Sequence, residues 1–110
     1  MAGDELFEIE VSHDGGETVI RVRGEIDRHA RPAFRRAVEE AWIASPHLVL
    51  DMSETSFIDG SGLGVLAAAA HAYGRDAVTV RSPTPGLRRL LEITGIADVV
   101  RVHDVVADEP

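Results

Sequence analysis

Asp51-Met52-Ser53-Glu54-Thr55-Ser56-Phe57-Ile58-Asp59-Gly60-Ser61-Gly62-Leu63-Gly64 is the stretch on which the reading of this chain turns. Leu48-Val49-Leu50 just before it predicts a short apolar strand, with Asp51 at its C-terminal end. The polar residues that follow predict a loop, then an apolar pair, then a glycine-rich start to a helix. Glycine at 60, 62 and 64 reduces crowding and lets a partner approach the backbone. The helix runs through Ala67-Ala68-Ala69-Ala70 to Tyr73, with Leu63, Leu66, Ala70 and Tyr73 near one face, and Gly74 stops it. A strand that delivers the chain to a helix start in this way belongs to an α/β domain.

Working outward, Leu6 to Ser12 alternates with a period near two and predicts a strand. His13-Asp14-Gly15-Gly16 then supplies a hairpin turn, and Thr18 to Arg23 resumes the alternation. Gly24-Glu25-Ile26-Asp27 ends this second strand. Ala33, Phe34, Ala37, Val38, Ala41 and Trp42 fall three or four residues apart and make one apolar stripe on a helix, with Pro32 in its first turn and no clear Ser or Thr cap. On the C-terminal side, Ala77-Val78-Thr79-Val80 predicts a strand, and Thr84-Pro85 opens a helix whose stripe is Leu87, Leu90 and Leu91. Gly95 ends that helix, and Val99, Val100 and Val102 permit a last strand. The order favours a single α/β domain over residues 6–103: a mixed, mostly parallel sheet with an antiparallel N-terminal edge and flanking helices. Residues 104–110 read as a short extension or partial helix.

With 110 residues, 45% hydrophobic and 27% charged, the chain is the size of one globular domain. Its formal net charge of -8 argues against unassisted binding to nucleic acid or to an anionic membrane, but not against a basic protein partner. The absence of cysteine removes thiolate catalysis, thiolate metal sites and disulfides. No apolar run approaches the roughly 20 residues that span a bilayer, and the expected location is the cytoplasm. His13, His29, His47, His71 and His103 form no compact metal-ligand pattern. Trp42 reads as core and not as a partner anchor, Arg88 and Arg89 as a solvated pair, and Glu8 and Glu10 as exposed strand positions. The glycine-rich segment lacks the Gly-Lys-Ser or Gly-Lys-Thr ending of a phosphate-binding loop, and the intervening polar residues separate it from the preceding strand. Nucleotide binding therefore rests only on the general anion affinity of a helix start. Asp51 and Asp59 could act as acid and base only if the loop folded back. From the residues alone, Asp59 and Ser61 read either as helix caps or, for Ser61, as a hydroxyl open to a protein kinase.

Several segments together resemble the STAS domain family, especially bacterial anti-sigma factor antagonists. They are Gly24-Glu25-Ile26-Asp27, Val49-Leu50-Asp51-Met52-Ser53, Phe57 to Leu66, Ser82-Pro83 and Leu87 to Ile96, in the family's order and spacing. The resemblance implies a regulatory protein-binding surface, with no catalysis and no cofactor. It places Ser61 at the phosphoacceptor position, and Asp59 and Asp27 at acidic positions near the partner-facing surface. Asp27, Asp59, Gly60, Ser61, Gly62 and Leu63 are thus the expected partner-binding residues. Gly60 departs from the serine or threonine common at its place. The partners so implied are an anti-sigma factor with serine kinase activity and a serine phosphatase, with an indirect effect on a sigma factor. An alternative is a STAS subunit of a stress-signalling or lipid-transport complex.

Overall fold

The computed structural model describes residues 7–104, so Leu6 and the expected extension after Asp104 lie outside the described residues. Strands β1 (Phe7–Asp14) and β2 (Glu17–Ile26) form an antiparallel hairpin. Gly15 and Gly16 close it with φ of 58° and 89°, the backbone a two-residue hairpin needs. The chain continues through α1 (Arg31–Ala44), β3 (Leu48–Ile58), α2 (Gly60–Tyr73), β4 (Val78–Arg81), α3 (Pro85–Thr94) and β5 (Arg101–His103). Single 3-10 turns occupy Arg75–Ala77 and Ile96–Asp98. The sheet order is β1-β2-β3-β4-β5, and only β1 and β2 pair antiparallel. This is the mixed, mostly parallel sheet with flanking helices that the alternating pattern implied.

One sheet face is the core. Ile20 and Val22 of β2, Leu48, Leu50 and Met52 of β3 and Val78 and Val80 of β4 are buried, together with Phe34, Val38 and Ala41 of α1, Val65, Leu66, Ala69 and Ala70 of α2, and Leu87 and Leu91 of α3. Burying each larger side chain of this kind stabilises the fold by about 1.5–3 kcal/mol before chain entropy is subtracted. The other face carries charge. Glu10, Arg21, Asp51, Arg81 and His103 stand opposite one another in register across all five strands. Arg21 lies 3.7 Å from Glu10 and 3.8 Å from Asp51, and Arg81 lies 3.4 Å from Asp51.

β3 is the main departure from the sequence reading. The expected loop after Asp51 is strand as far as Ile58, paired with β2 throughout. Between Asp51 and Glu54, and again between Thr55 and Phe57, β3 carries one more residue than β2, so its register shifts twice. Bulges of this kind break the period-two alternation by which a strand is read from sequence. The polar side chains are nonetheless satisfied: the Thr55 hydroxyl, fully buried, donates to the Val22 carbonyl at 2.9 Å, and the Ser53 hydroxyl donates to Asp51 at 2.8 Å. Asp51 is therefore mid-strand and only 8% exposed. Burial works to raise its pKa, but the Ser53 amide and hydroxyl and the Arg81 charge outweigh burial and hold it below the usual carboxylate range. β5 also begins later than expected, because Val99 and Val100 complete the turn after Gly95. Gly95 itself, at φ 84°, ends α3 as expected, and the Thr84 hydroxyl caps that helix by accepting from the Leu87 amide at 3.2 Å.

The start of α2 packs tightly on the sheet. A Cβ at Gly62 would stand 2.7 Å from Ile58 Cγ1 and 2.8 Å from Ile26 Cγ2, whereas one at Gly64 would meet nothing within 4 Å. Gly62→Val should therefore destabilise the fold by about 1–3 kcal/mol. Gly64→Ala should stabilise it by up to about 1 kcal/mol through helix propensity. Urea denaturation of both variants checks the opposite signs.

Candidate functional site

β2 and β3 end side by side, Ile26 opposite Ile58, and each hands the chain to an aspartate. Asp59 follows β3. Its amide donates to the Ile26 carbonyl at 3.1 Å, and its carboxylate caps α2, with Oδ1 accepting from the Ser61 amide at 2.9 Å and the Gly62 amide at 3.1 Å. The Ser61 hydroxyl donates to the same oxygen at 2.6 Å. These bonds, the Ser61 hydroxyl first, hold the Asp59 carboxyl below its usual range, and the charge of Arg28 adds to them.

Asp27, after β2, holds the turn ahead of α1 in a related way. Its Oδ1 accepts from the amides of His29 and Ala30, both at 3.0 Å, in the turn that leads into α1. The helix itself has Ala30 at its N-cap and no side-chain cap, as the sequence reading has it, so the Asp27 carboxylate secures the turn that leads in and not the helix's own first amides. Two helix starts, the capping carboxylate of Asp59 and the turn-holding carboxylate of Asp27 thus share one end of the sheet.

Between α1 and α2 runs a groove of about 510 Å³, lined at this end by Arg31, Arg35, Gly60, Ser61 and Gly64. Arg35 is held by Glu39 at 3.1 Å. Arg31 has no salt bridge among the described residues, and its Nε is buried without a hydrogen-bond partner. At the far end of the groove Tyr73 stacks on Trp42, ring centroids 4.1 Å apart and 10° from parallel. Trp42 is thus half-buried between two helices rather than deep in the core.

The expected site residues divide. Asp27, Asp59, Gly60, Ser61 and Leu63 gather at this end of the sheet, while Gly62 is buried against Ile26 and Ile58 and shapes the helix seat. Ser61 is half-buried and hydrogen-bonded, not the exposed hydroxyl expected from its glycine context. Asp51 cannot pair with Asp59 as acid and base: a continuous strand separates them by roughly 20 Å or more. With β3 extending to Ile58, the glycine-rich segment does follow a strand directly. The amides that a nucleotide phosphate would need are, however, already taken by Asp59. Among the described residues no group of three or more histidine or acidic side chains is placed to hold a metal ion, and no helix is long and apolar enough to cross a membrane. Arg88 is paired with Asp104, and Arg89 is exposed. Arg28 and Arg31 went unnoticed in the sequence. The signal was there, since four of the eleven basic residues, Arg28, Arg31, Arg35 and Arg36, follow Asp27 closely in an otherwise acidic chain.

The STAS domain family matches residues 8–109, and the chain belongs to that family. It is 29% identical over 102 residues to a Paenibacillus polymyxa protein named anti-sigma F factor antagonist, covering 89% of this chain and 87% of the relative. The crystal structure of an anti-sigma factor antagonist from Mycobacterium paratuberculosis superposes with a TM-score of 0.82 at 29% identity, covering 93% of this chain and 89% of the other. The Bacillus cell fate determinant SpoIIAA in its phosphorylated form gives a TM-score of 0.67 at 25% identity, with 94% of each chain covered.

Because the Asp59 pKa is lowered from its ordinary 3.8, the stability it lends is complete above about pH 4. That stability is lost as the pH falls through the depressed value. Asp59→Asn keeps an acceptor for the helix amides but removes the titrating group. Thermal melts from pH 6 to 2 should show a flatter acid limb for this variant than for the unmodified protein, whereas Asp59→Ala should be less stable than both at neutral pH.

Proposed function

We propose that this protein is an anti-sigma factor antagonist of the bacterial cytoplasm, switched by phosphorylation of Ser61. In its unmodified form it binds an anti-sigma factor with serine kinase activity, and the sigma factor is released. The kinase transfers the γ-phosphoryl group of ATP to Ser61 Oγ: the Ser61 O–H bond breaks, an O–P bond forms, the proton leaves and ADP remains. A serine phosphatase hydrolyses the ester and restores the binding form. The chain is substrate and competitor in this cycle, not catalyst.

The observation that carries the reading is the open approach to the start of α2. Side chains at Gly60 or Gly64 would meet nothing within 4 Å, so a partner can press close to the backbone on either side of Ser61. The relatives agree in kind, since the Paenibacillus protein is named an antagonist and SpoIIAA has been solved phosphorylated. Asp27, Asp59, Gly60 and Leu63 complete the partner-facing surface, with Gly62 holding it on the sheet.

Phosphorylation adds about -1.5 to -2 charges and removes the hydroxyl proton that Ser61 now donates to Asp59. A bond becomes a repulsion at the centre of the contact surface. A hundredfold loss of affinity needs only about 2.7 kcal/mol, within reach of one misplaced double charge and without refolding.

Ser61→Ala should abolish phosphorylation by the cognate anti-sigma kinase while retaining binding, and complete phosphorylation of the unmodified protein should weaken binding by about two orders of magnitude. Site-resolved mass spectrometry with calorimetry checks both. Phosphate elsewhere with Ser61 bare, or undiminished binding after modification, overturns the switch. Recovery of a transporter or a signalling particle in place of an anti-sigma kinase, when the protein is copurified from its own cell extract, would favour the other kind of STAS subunit.

Asp27→Asn preserves the acceptor that holds the His29 and Ala30 amides but removes the charge. It should weaken kinase binding with little change in melting temperature, whereas Asp27→Ala should lower both, by about 0.5–2 kcal/mol in stability. Calorimetric titration alongside thermal melts separates recognition from capping.

A further inference from the structure

We propose that the phosphoryl group on Ser61 is captured within the protein itself, turned away from Asp59 into the groove between α1 and α2 and held there by the guanidinium of Arg31. The inference rests on the reading of Ser61 as phosphoacceptor, and concerns where the new charge goes.

Three observations carry it. First, the usual receivers of a phosphate at a helix start are occupied, because Asp59 already takes the Ser61 and Gly62 amides. Once the Oγ proton is gone, Asp59 and the phosphate repel each other, and the group must rotate off the carboxylate. Second, the groove is a recess that borders Ser61 directly, and its lining near Ser61 is Gly60 and Gly64, without side chains to obstruct it, and Arg31 and Arg35. Third, of those two arginines, Arg35 is engaged by Glu39, while Arg31 carries a buried Nε–H with no acceptor. A buried donor left unmade is costly and is normally satisfied, so an acceptor entering the groove gains both the Coulomb attraction and that missing bond. Arg28, whose charge already acts on Asp59, offsets the crowding of negative charge at the mouth. The fixed-fork guanidinium is the side chain best suited to a phosphate's oxygens.

The consequence is a phosphorylated state with its own internal contact, not merely a blocked interface. A full-length protein with phosphoserine genetically encoded at position 61 tests this without any kinase. In a phosphorus NMR titration, the second ionisation of the phosphate should move up by about half a unit or more in Arg31→Gln relative to the parent, less in Arg31→Lys, and not at all in Arg36→Gln, which removes an exposed arginine outside the groove. In the parent protein the Arg31 Nε–H resonance should shift when position 61 changes from serine to phosphoserine, a readout that needs no variant to fold. An unmoved Arg31 resonance, or equal phosphate ionisation in the parent, Arg31→Gln and Arg36→Gln, overturns the capture. A kinase that ignores Ser61 would refute the switch and leave this geometry standing, so the two failures are distinguishable.

Discussion

The parallel pairing of β2 with β3 decides where everything else can be. Its last rung joins Ile26 to Ile58, and the next amide along, that of Asp59, still donates across to Ile26. Two strands that end level must release their helices level, and both helices then present their positive ends at the same edge of the sheet. Asp59 caps the start of α2, and Asp27 holds the turn that leads into α1. The glycine at 62 is the steric counterpart of this arrangement, because α2 sits so low over Ile26 and Ile58 that no β-carbon fits beneath it without displacing them.

How much of this was readable in advance depended on whether local pattern or pairing set the structure. The hairpin at Gly15-Gly16, the cap at Thr84 and the stop at Gly95 follow from backbone chemistry confined to a few residues, and each was legible. The central strand was not. Ser53, Glu54, Thr55 and Ser56 have the composition of a loop, and the two extra residues scramble the alternation; only the ladder offered by β2 and the buried bond from Thr55 to Val22 make them strand. The same holds at the site. Resemblance of the Asp-Gly-Ser-Gly-Leu-Gly segment marked Ser61 and Asp59, but that the two are bonded to each other depends on a helix start whose angle is set by Ile26 and Ile58. Asp27 looked like a turn residue or an interface residue, and the structure shows it holding the turn before α1. Arg31 gave no signal as a single residue, because its isolation is a property of its neighbours.

In the proposed switch, Asp59 ties stability to regulation at one atom. Oδ1 accepts two helix amides and one hydroxyl, so the group that anchors α2 also registers the chemical state of Ser61. A switch built this way needs no travel of secondary structure. In the proposed cycle the charge would change where a bond already exists, with the response confined to side chains at the sheet end and the groove beside it. The long charged row on the opposite face is remote from this event, and with Asp51 sheltered beneath Arg21 and Arg81 it ties the strands together without taking part.

Among the described residues the sheet has two margins without a further strand, and they are closed to company by different means. β1 is eight residues long, enough to template a foreign strand, but carries exposed charged side chains, Glu8 and Glu10 paired with Arg23 and Arg21 of β2 and Asp14 near the hairpin. β5 carries the exposed Arg101 and is only three residues long, too short to seat a guest by backbone bonds. Growth of the sheet by an added strand, one of the commonest ways in which proteins take hold of peptides and also the way in which they aggregate, is thereby discouraged at both sides. A partner docked as proposed on the helix starts and turns at the Ser61 end would part from them more cleanly than from a backbone ladder.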